Sequence, residues 1–258
     1  MNVRPLAFAI PRKLKITAMT GALLLASVPV VQSATMSREY QTGYYAYKSG
    51  DFKEARQSWE VAALKDDPYA QYALGLMNYR GDIGHPDYVE AAKWFQKAAN
   101  ANHSGAIYYI GLLYFNGHGL HYDQFRATQY FKRALEADPK NGDAAYLIGA
   151  QYFHGRGARQ NFVEAARYFE LAANTNHHAA QFMFGAMLER GWGREENREE
   201  AYYWLRRATL GPITLPPGVE MEIPMDPIGA TATLEARLRS DQITRVDKRL
   251  HAEGFIPN

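Results

Sequence analysis

The sequence predicts an all-α fold, a solenoid of stacked antiparallel helix pairs, from three regularities that share one period. Ala55, Ala91, Ala127, Ala165 and Ala201 stand 36, 36, 38 and 36 residues apart, and each is echoed seven residues later by Ala62, Ala98, Ala134, Ala172 and Ala208. Gly75, Gly111, Gly149 and Gly185 recur in the same phase, as do Gly81, Gly117, Gly155 and Gly191. Four residues before each marker alanine stands Asp51, Asp87, Asp123, Asn161 or Asn197, side chains that accept hydrogen bonds from the free N–H groups of a helix start.

The elements follow in order. Residues 1–34 form a basic, apolar, then small-residue leader, with Arg4, Arg12, Lys13 and Lys15 ahead of the run Ile16–Val31. This is the layout of a secretory signal peptide, with cleavage expected after Ser33 or Ala34. The run contains Pro29 and is shorter than the roughly 20 residues a spanning helix needs, which argues against a retained anchor. Residues 38–211 hold five helix pairs. In each, the first helix carries small and apolar residues at helical spacing, as in Ala106, Ile110 and Leu113, and ends in a glycine turn such as Gly117-His118-Gly119. The second helix opens with its Asp or Asn cap, and Glu54, Glu90, Glu164 and Glu200 stand three residues later, the spacing of a capping box. Its alanines share one face with Trp94, Tyr130, Tyr168 and Trp204. Residues 212–230 begin with a proline-rich, acid-bearing stretch, expected to cross the surface as extended chain. Helical spacing resumes over 231–254 with Leu234 and Leu238. Ser240 is then the expected N-cap of a last helix carrying Ile243, Val246 and Leu250 and ending at Gly254. A terminal repeat has one neighbour only, so a helix pair covering its apolar face is expected.

Composition narrows the function. With 258 residues, 47% of them hydrophobic, the chain can bury a core, and the absence of cysteine excludes thiolate metal sites and thiol nucleophiles. Without the leader's four bases, 25 Lys and Arg stand against 27 Asp and Glu, a poor balance for gripping phosphates; no nucleic-acid partner is expected. None of the seven serines has a lysine three residues on, and no Gly-x-Ser-x-Gly, His-Glu-x-x-His or Gly-x-x-x-x-Gly-Lys pattern occurs. His118, His121 and His154 lie in or beside turns but at non-equivalent repeat positions, and they and His177-His178 read as solvated turn residues. No enzyme activity, metal or cofactor is expected.

Ile110-Gly111-Leu112-Leu113-Tyr114-Phe115-Asn116-Gly117-His118-Gly119 and its counterpart from Ile148 to Gly157, each followed by Asp or Asn, Ala, an aromatic pair and Ala-Ala, resemble the Sel1-like repeat. Units two and five depart from it with Asn78 and Leu188 at the tyrosine position, and unit two has one extra residue between its turn glycines. The first unit, with Gly50-Asp51-Phe52-Lys53-Glu54-Ala55, resembles a tetratricopeptide repeat instead. The resemblance implies a right-handed α-solenoid whose first helices line a groove. By likeness to tetratricopeptide repeats, two rows face it. Three residues before the first-helix glycine come Tyr40, Tyr72, Tyr108, Tyr146 and Phe182; four after it come Tyr47, Tyr79, Phe115, Phe153 and Glu189. Arg80, His154 and Arg190 stand beside the second row. The alternative is that these rings pack between neighbouring units. Tyr72, Tyr79, Arg80, Tyr108, Phe115, Tyr146, Phe153, His154, Phe182 and Arg190 are the candidate partner-binding residues. The expected function is a non-enzymatic interaction scaffold in the periplasm or outside the cell, binding an envelope or secreted protein or peptide and keeping no membrane span. The alternative is a saccharide- or peptidoglycan-binding envelope protein.

Overall fold

The computed structural model describes residues 36–220 and 224–256; the expected leader and its cleavage site lie outside them. Twelve helices and no strand occur among the described residues. They pair as α1 (Arg38–Lys48) with α2 (Phe52–Ala63), α3 (Pro68–Arg80) with α4 (Tyr88–Asn100), α5 (Ser104–Asn116) with α6 (Gln124–Ala137), α7 (Gly142–His154) with α8 (Phe162–Ala173), and α9 (His178–Arg190) with α10 (Arg198–Ala208). Each second helix also packs on the next first helix, so the pairs stack. Helices α11 (Pro227–Glu235) and α12 (Ser240–Ala252) pack on α10 and bury Leu234, Val246 and Leu250.

The marker residues act through contact. All ten periodic alanines are fully buried. A Cβ added at Gly43, Gly75, Gly111 or Gly149 would meet the ring of Trp59, Phe95, Phe131 or Phe169 at 2.5–2.8 Å, so the missing side chain is what lets the two helices of a pair close on an aromatic ring. This corrects the assignment of Trp94 and Tyr130 to that face: the ring received by the glycine is one residue further on. Phe95, Phe131 and Phe169 are fully buried, whereas Trp94 and Tyr130 stay half-exposed.

The caps differ from expectation in one respect. Asp51, Asp87, Asp123, Asn161 and Asn197 each accept from the backbone N–H three residues on, at 2.9–3.1 Å. The reciprocal half of the capping box does not form in units two, four and five, because the N–H groups of Asp87, Asn161 and Asn197 go instead to the carbonyls of Asn78, Tyr152 and Leu188 in the preceding helix; Asp123 does the same with Tyr114. Each glycine turn is thereby clipped shut, and Glu90 and Glu164 pair with Lys93 and Arg167. Gly81, Gly117, Gly155 and Gly191 take left-handed φ of 69–73° and close the first helices. The later turn glycines Gly119, Gly157 and Gly193 serve packing between units: a Cβ there would run into the carbonyls of Tyr88, Gln124 and Phe162 in the preceding unit. Gly84, in the turn with one extra residue, meets nothing. The buried core divides in the same unit, residues from Ala46 to Met77 forming one cluster and those from Ala91 onward another.

Two further positions correct the reading. The last helix is capped by Arg239 and begins at Ser240, and α11 begins at Pro227, four residues before the spacing suggested. His177 is not a solvated turn residue. Its side chain is 8% exposed, and its Nδ1 accepts from Ala180 N–H as the N-cap of α9, as His103 does for α5. Acceptance at Nδ1 places the proton of the neutral ring on Nε2.

Candidate interaction surface

The first-helix face is built by α3, α5, α7 and α9, whose ring positions recur because each helix repeats the same register. In the first row, Tyr72 lies under the imidazole of His103, with ring centroids 4.4 Å apart, and Tyr146 under His177 at 4.7 Å. The capping histidines of units three and five thus roof the rings of units two and four. Burial holds His103 below the ordinary imidazole value, so it remains a neutral acceptor at its cap. Tyr108, with no histidine above it, packs on Phe131 and Tyr109 instead. Burial, more than the nearby Asp143 carboxylate, pushes the Tyr108 hydroxyl upward, and burial followed by Tyr109 does the same to Tyr72.

The structure separates the ten candidates. Tyr108, Tyr146, Phe153 and Phe182 are 6%, 5%, 9% and 8% exposed and pack within the core, as the alternative reading of these rows has it. Phe153 shows the reason, since its ring meets Phe162, Phe169 and Trp192 at 5.4–6.3 Å and is spent on holding units four and five together. Tyr72 and Tyr79 are half-buried and form a ring cluster with Tyr109, at 6.1 and 5.0 Å. Burial, followed by its tyrosine neighbours Tyr109 and Tyr88, pushes the Tyr79 hydroxyl up to about 12. Arg80 donates to the Tyr47 hydroxyl at 3.2 Å, and that hydroxyl donates to Asp82 at 2.9 Å, a chain bridging units one and two. Arg190 lies 4.7 Å over the ring of Trp192. Glu189, the acid of the second row, is paired with Arg237 at 2.5 Å and does not give the face an acidic end.

Phe115, Tyr146 and His154 are brought together, and what brings them together is the chain itself. After α10 the segment 212–220 crosses the surface seated on the helices, with Pro212, Thr214, Pro217, Gly218 and Glu220 exposed and Ile213, Leu215 and Val219 packed against the core. Gly211 sits against His178, and Thr214 lines a hollow with residues at the starts of α7 and α9. Pro216 is buried. Pro216-Pro217-Gly218-Val219 makes a turn, closed by Val219 N–H to the Pro216 carbonyl at 3.1 Å, with Gly218 at φ 75°, the type II pattern that needs glycine third. Asn116 Nδ2 donates to the Pro217 carbonyl at 3.2 Å. Val219, Glu220 and Met225 then close a cleft whose opposite walls include Phe115, Tyr146, Gln151, His154 and Met183. The cleft encloses about 50 Å³, room for a few waters. Gln151 is 2% exposed; its Nε2 donates to Gln124 Oε1 at 2.7 Å, and its Oε1 has no partner among the described residues.

Among the described residues no group of three or more His, Asp or Glu side chains is placed to hold a metal ion. The segment's seat and the histidine roofs were missed in the sequence. Pro-Pro-Gly signals the turn but not where it docks, and imidazole is an uncommon helix cap.

Comparison with known proteins agrees with this architecture. The Sel1 repeat family matches residues 68–103, 104–139, 142–177 and 178–210. A Sel1 repeat protein from Oxalobacter formigenes superposes with a TM-score of 0.61 at 22% identity, covering 66% of this chain and 73% of that one. A protective antigen present in uropathogenic Escherichia coli strains and displaying an SLR fold gives 0.52 at 18% identity, covering 81% of this chain and about half, 51%, of that one. A search of curated proteins returned no match.

Proposed function

The chain belongs to the Sel1 repeat family, whose members are in general protein-interaction scaffolds, and from that premise we propose that it is a non-enzymatic scaffold of the bacterial envelope that binds a partner protein or peptide on its first-helix face. The observation that carries the reading is that this face takes up extended chain: Ile213, Leu215, Val219 and Met225 pack against the core, and a carboxamide holds a backbone carbonyl. Aromatic rings give such contacts large area at small entropic cost, as interface anchors do. Export is supported by the order of charge, apolar run and small residues in the leader. Among the described residues no helix is long and apolar enough to cross a membrane.

Two experiments test this. Protein recovered from the periplasm should begin near Ala34 or Thr35 by intact mass; full-length chain held in membranes would reject export. An envelope pull-down, read by mass spectrometry, should lose its partner with Tyr79→Ala/Tyr109→Ala, whose rings sit on the face, and keep it with Lys53→Ser/Gln96→Ser on exposed second-helix positions. The reverse pattern would move the interface to the second helices.

A further inference from the structure

We propose that the hollow between α6 and the turn joining α7 to α8 is a second binding site, separate from the first-helix face, and that it takes an acidic peptide segment of a partner protein. The peptide's carboxylate meets Lys132 and Arg159, and an apolar neighbour lies on Phe125.

The hollow encloses about 570 Å³ and is lined by residues of units three and four. Its walls carry two cations, Lys132 and Arg159, and no Asp or Glu. Neither cation has a carboxylate partner among the described residues. Lys132 Nζ donates to the Tyr152 hydroxyl at 2.9 Å and lies 5.2 Å from the centre of its ring. That contact fixes the ammonium on the wall and leaves the hydroxyl proton for an acceptor.

The repeat itself shows what the hollow is suited to hold. Lys132 stands five residues after its marker alanine, and Ala158 three after the first glycine of the next turn; one junction further on, those two positions are Glu170 and Arg194. There the glutamate pairs with the arginine across the junction. One junction earlier, the positions of Lys132 and Arg159 hold Gln96 and His121. Of these three junctions, only that between units three and four sets two cations on one hollow. A partner's carboxylate supplies there what Glu170 supplies one unit later, through charge-assisted hydrogen bonds.

The remaining walls suit peptide. Phe125, on the rim, is 63% exposed and offers the area of an aromatic interface anchor. Gln160 Nε2 donates to the Phe153 carbonyl at 2.9 Å, which leaves its Oε1 as an acceptor. Asn161 Oδ1 accepts from the N–H groups of Val163 and Glu164 as the cap of α8, which leaves its Nδ2 as a donor. A donor and an acceptor in one hollow match the C=O and N–H of a peptide unit, whereas phosphate and sulfate offer acceptors alone.

The test is a chemical-shift titration of the isotope-labelled full chain with the blocked peptide acetyl-Gly-Leu-Glu-Leu-Gly-amide and with its counterpart carrying Gln in place of Glu. Saturable shifts at the Arg159, Asn161 and Gln129 side chains are expected. The Gln peptide, and the variant Lys132→Gln/Arg159→Gln with the Glu peptide, should each bind about ten-fold more weakly or worse, the loss of one charge-assisted contact. Arg133→Gln, outside the hollow, should bind as wild type does. Equal affinity for the two peptides, an unaffected double variant, or no saturable shift at these side chains overturns the proposal. Should the double variant lose helicity by circular dichroism, Arg159→Glu decides: it gives Lys132 a carboxylate from within the chain and should abolish binding, and retained binding overturns the proposal. Digalacturonate is titrated in parallel, and tighter binding of it than of the Glu peptide would overturn the peptide occupant in favour of an acidic saccharide. The envelope pull-down with Tyr79→Ala/Tyr109→Ala reads the first-helix face separately, so either proposal can fail alone.

Discussion

Tyr72 and Tyr146 hold the same position in units two and four, and each lies beneath the capping histidine of the next unit. Tyr72 nevertheless remains half-exposed beside Tyr79 and Tyr109, whereas Tyr146 is 5% exposed under a cleft closed by Val219 and Met225. The repeat period decides where a ring sits. A segment outside the period decides whether it is available. The face therefore has an open half on units one and two and a covered half on units three to five, although one pattern generated both.

The largest expected effect comes from freeing the C-terminal end that packs on the last unit of the covered half. Arg207 is buried, donates to Asn176 at 2.5 Å and to Tyr203 at 3.3 Å, and lies 4.0 Å over the ring of Phe255, so it ties α10 to the C-terminal end of the chain. Arg207→Met should cost roughly 3 kcal/mol in urea unfolding, from lost charge-assisted hydrogen bonds. Asn116→Ala, which removes the bond to the Pro217 carbonyl, should raise the chemical reactivity of Tyr146 without changing Tyr72; equal gains in both would erase the distinction between the halves. Next in size, Gly75→Leu in the open half and Gly149→Leu in the covered half should each cost about 1–3 kcal/mol by overpacking Phe95 or Phe169. Unequal costs would show that the halves differ in core as well as in cover. Removing a cap is smaller: Asp87→Ala and Asn161→Ala should each lower stability by about 1 kcal/mol and leave ring accessibility unchanged.

The smallest effect concerns pH. The unfolded chain ionises its tyrosines near their ordinary value of 10.0, while Tyr79 in the fold keeps its proton to about 12. The unfolded state thus gains from deprotonation first, and stability falls as pH rises between those values. Absorbance titration should show the late-ionising Tyr79 phase in wild type and its loss in Tyr79→Phe. Replacing residues 212–220 by a Gly-Ser linker should leave that phase in place, because those residues cover the other half.

Much of this was legible in the sequence because it was periodic. Alanine, glycine and cap positions each recur, and a recurring position has one structural cause that can be argued once. The errors mark where periodicity stops informing. Phe95 and Trp94 are adjacent aromatics, and no spacing tells which of two neighbours turns inward. The capping boxes lost their reciprocal bond to carbonyls of the preceding helix, a competitor visible only when the turn is folded. The cap at Arg239 instead of Ser240 is a one-residue boundary shift of the ordinary kind. The placement of residues 212–220 against the face depends on tertiary contacts between residues about a hundred positions apart, as Asn116 and Pro217 are.

The division of the core near Gly84 bears on how the molecule comes apart. Stacked repeats hold together through nearest-neighbour terms, so the weakest junction sets the limit of cooperativity. At Gly84 the glycine that elsewhere abuts the preceding unit touches nothing, and the chain Arg80–Tyr47–Asp82 bridges that unit by side chains instead. Pulled from its ends or warmed slowly, the array is expected to shed α1, α2 and α3, which share one core cluster, as a separate step while the remainder stays wound. That makes the N-terminal end the natural place for the stack to change length without disturbing the rest.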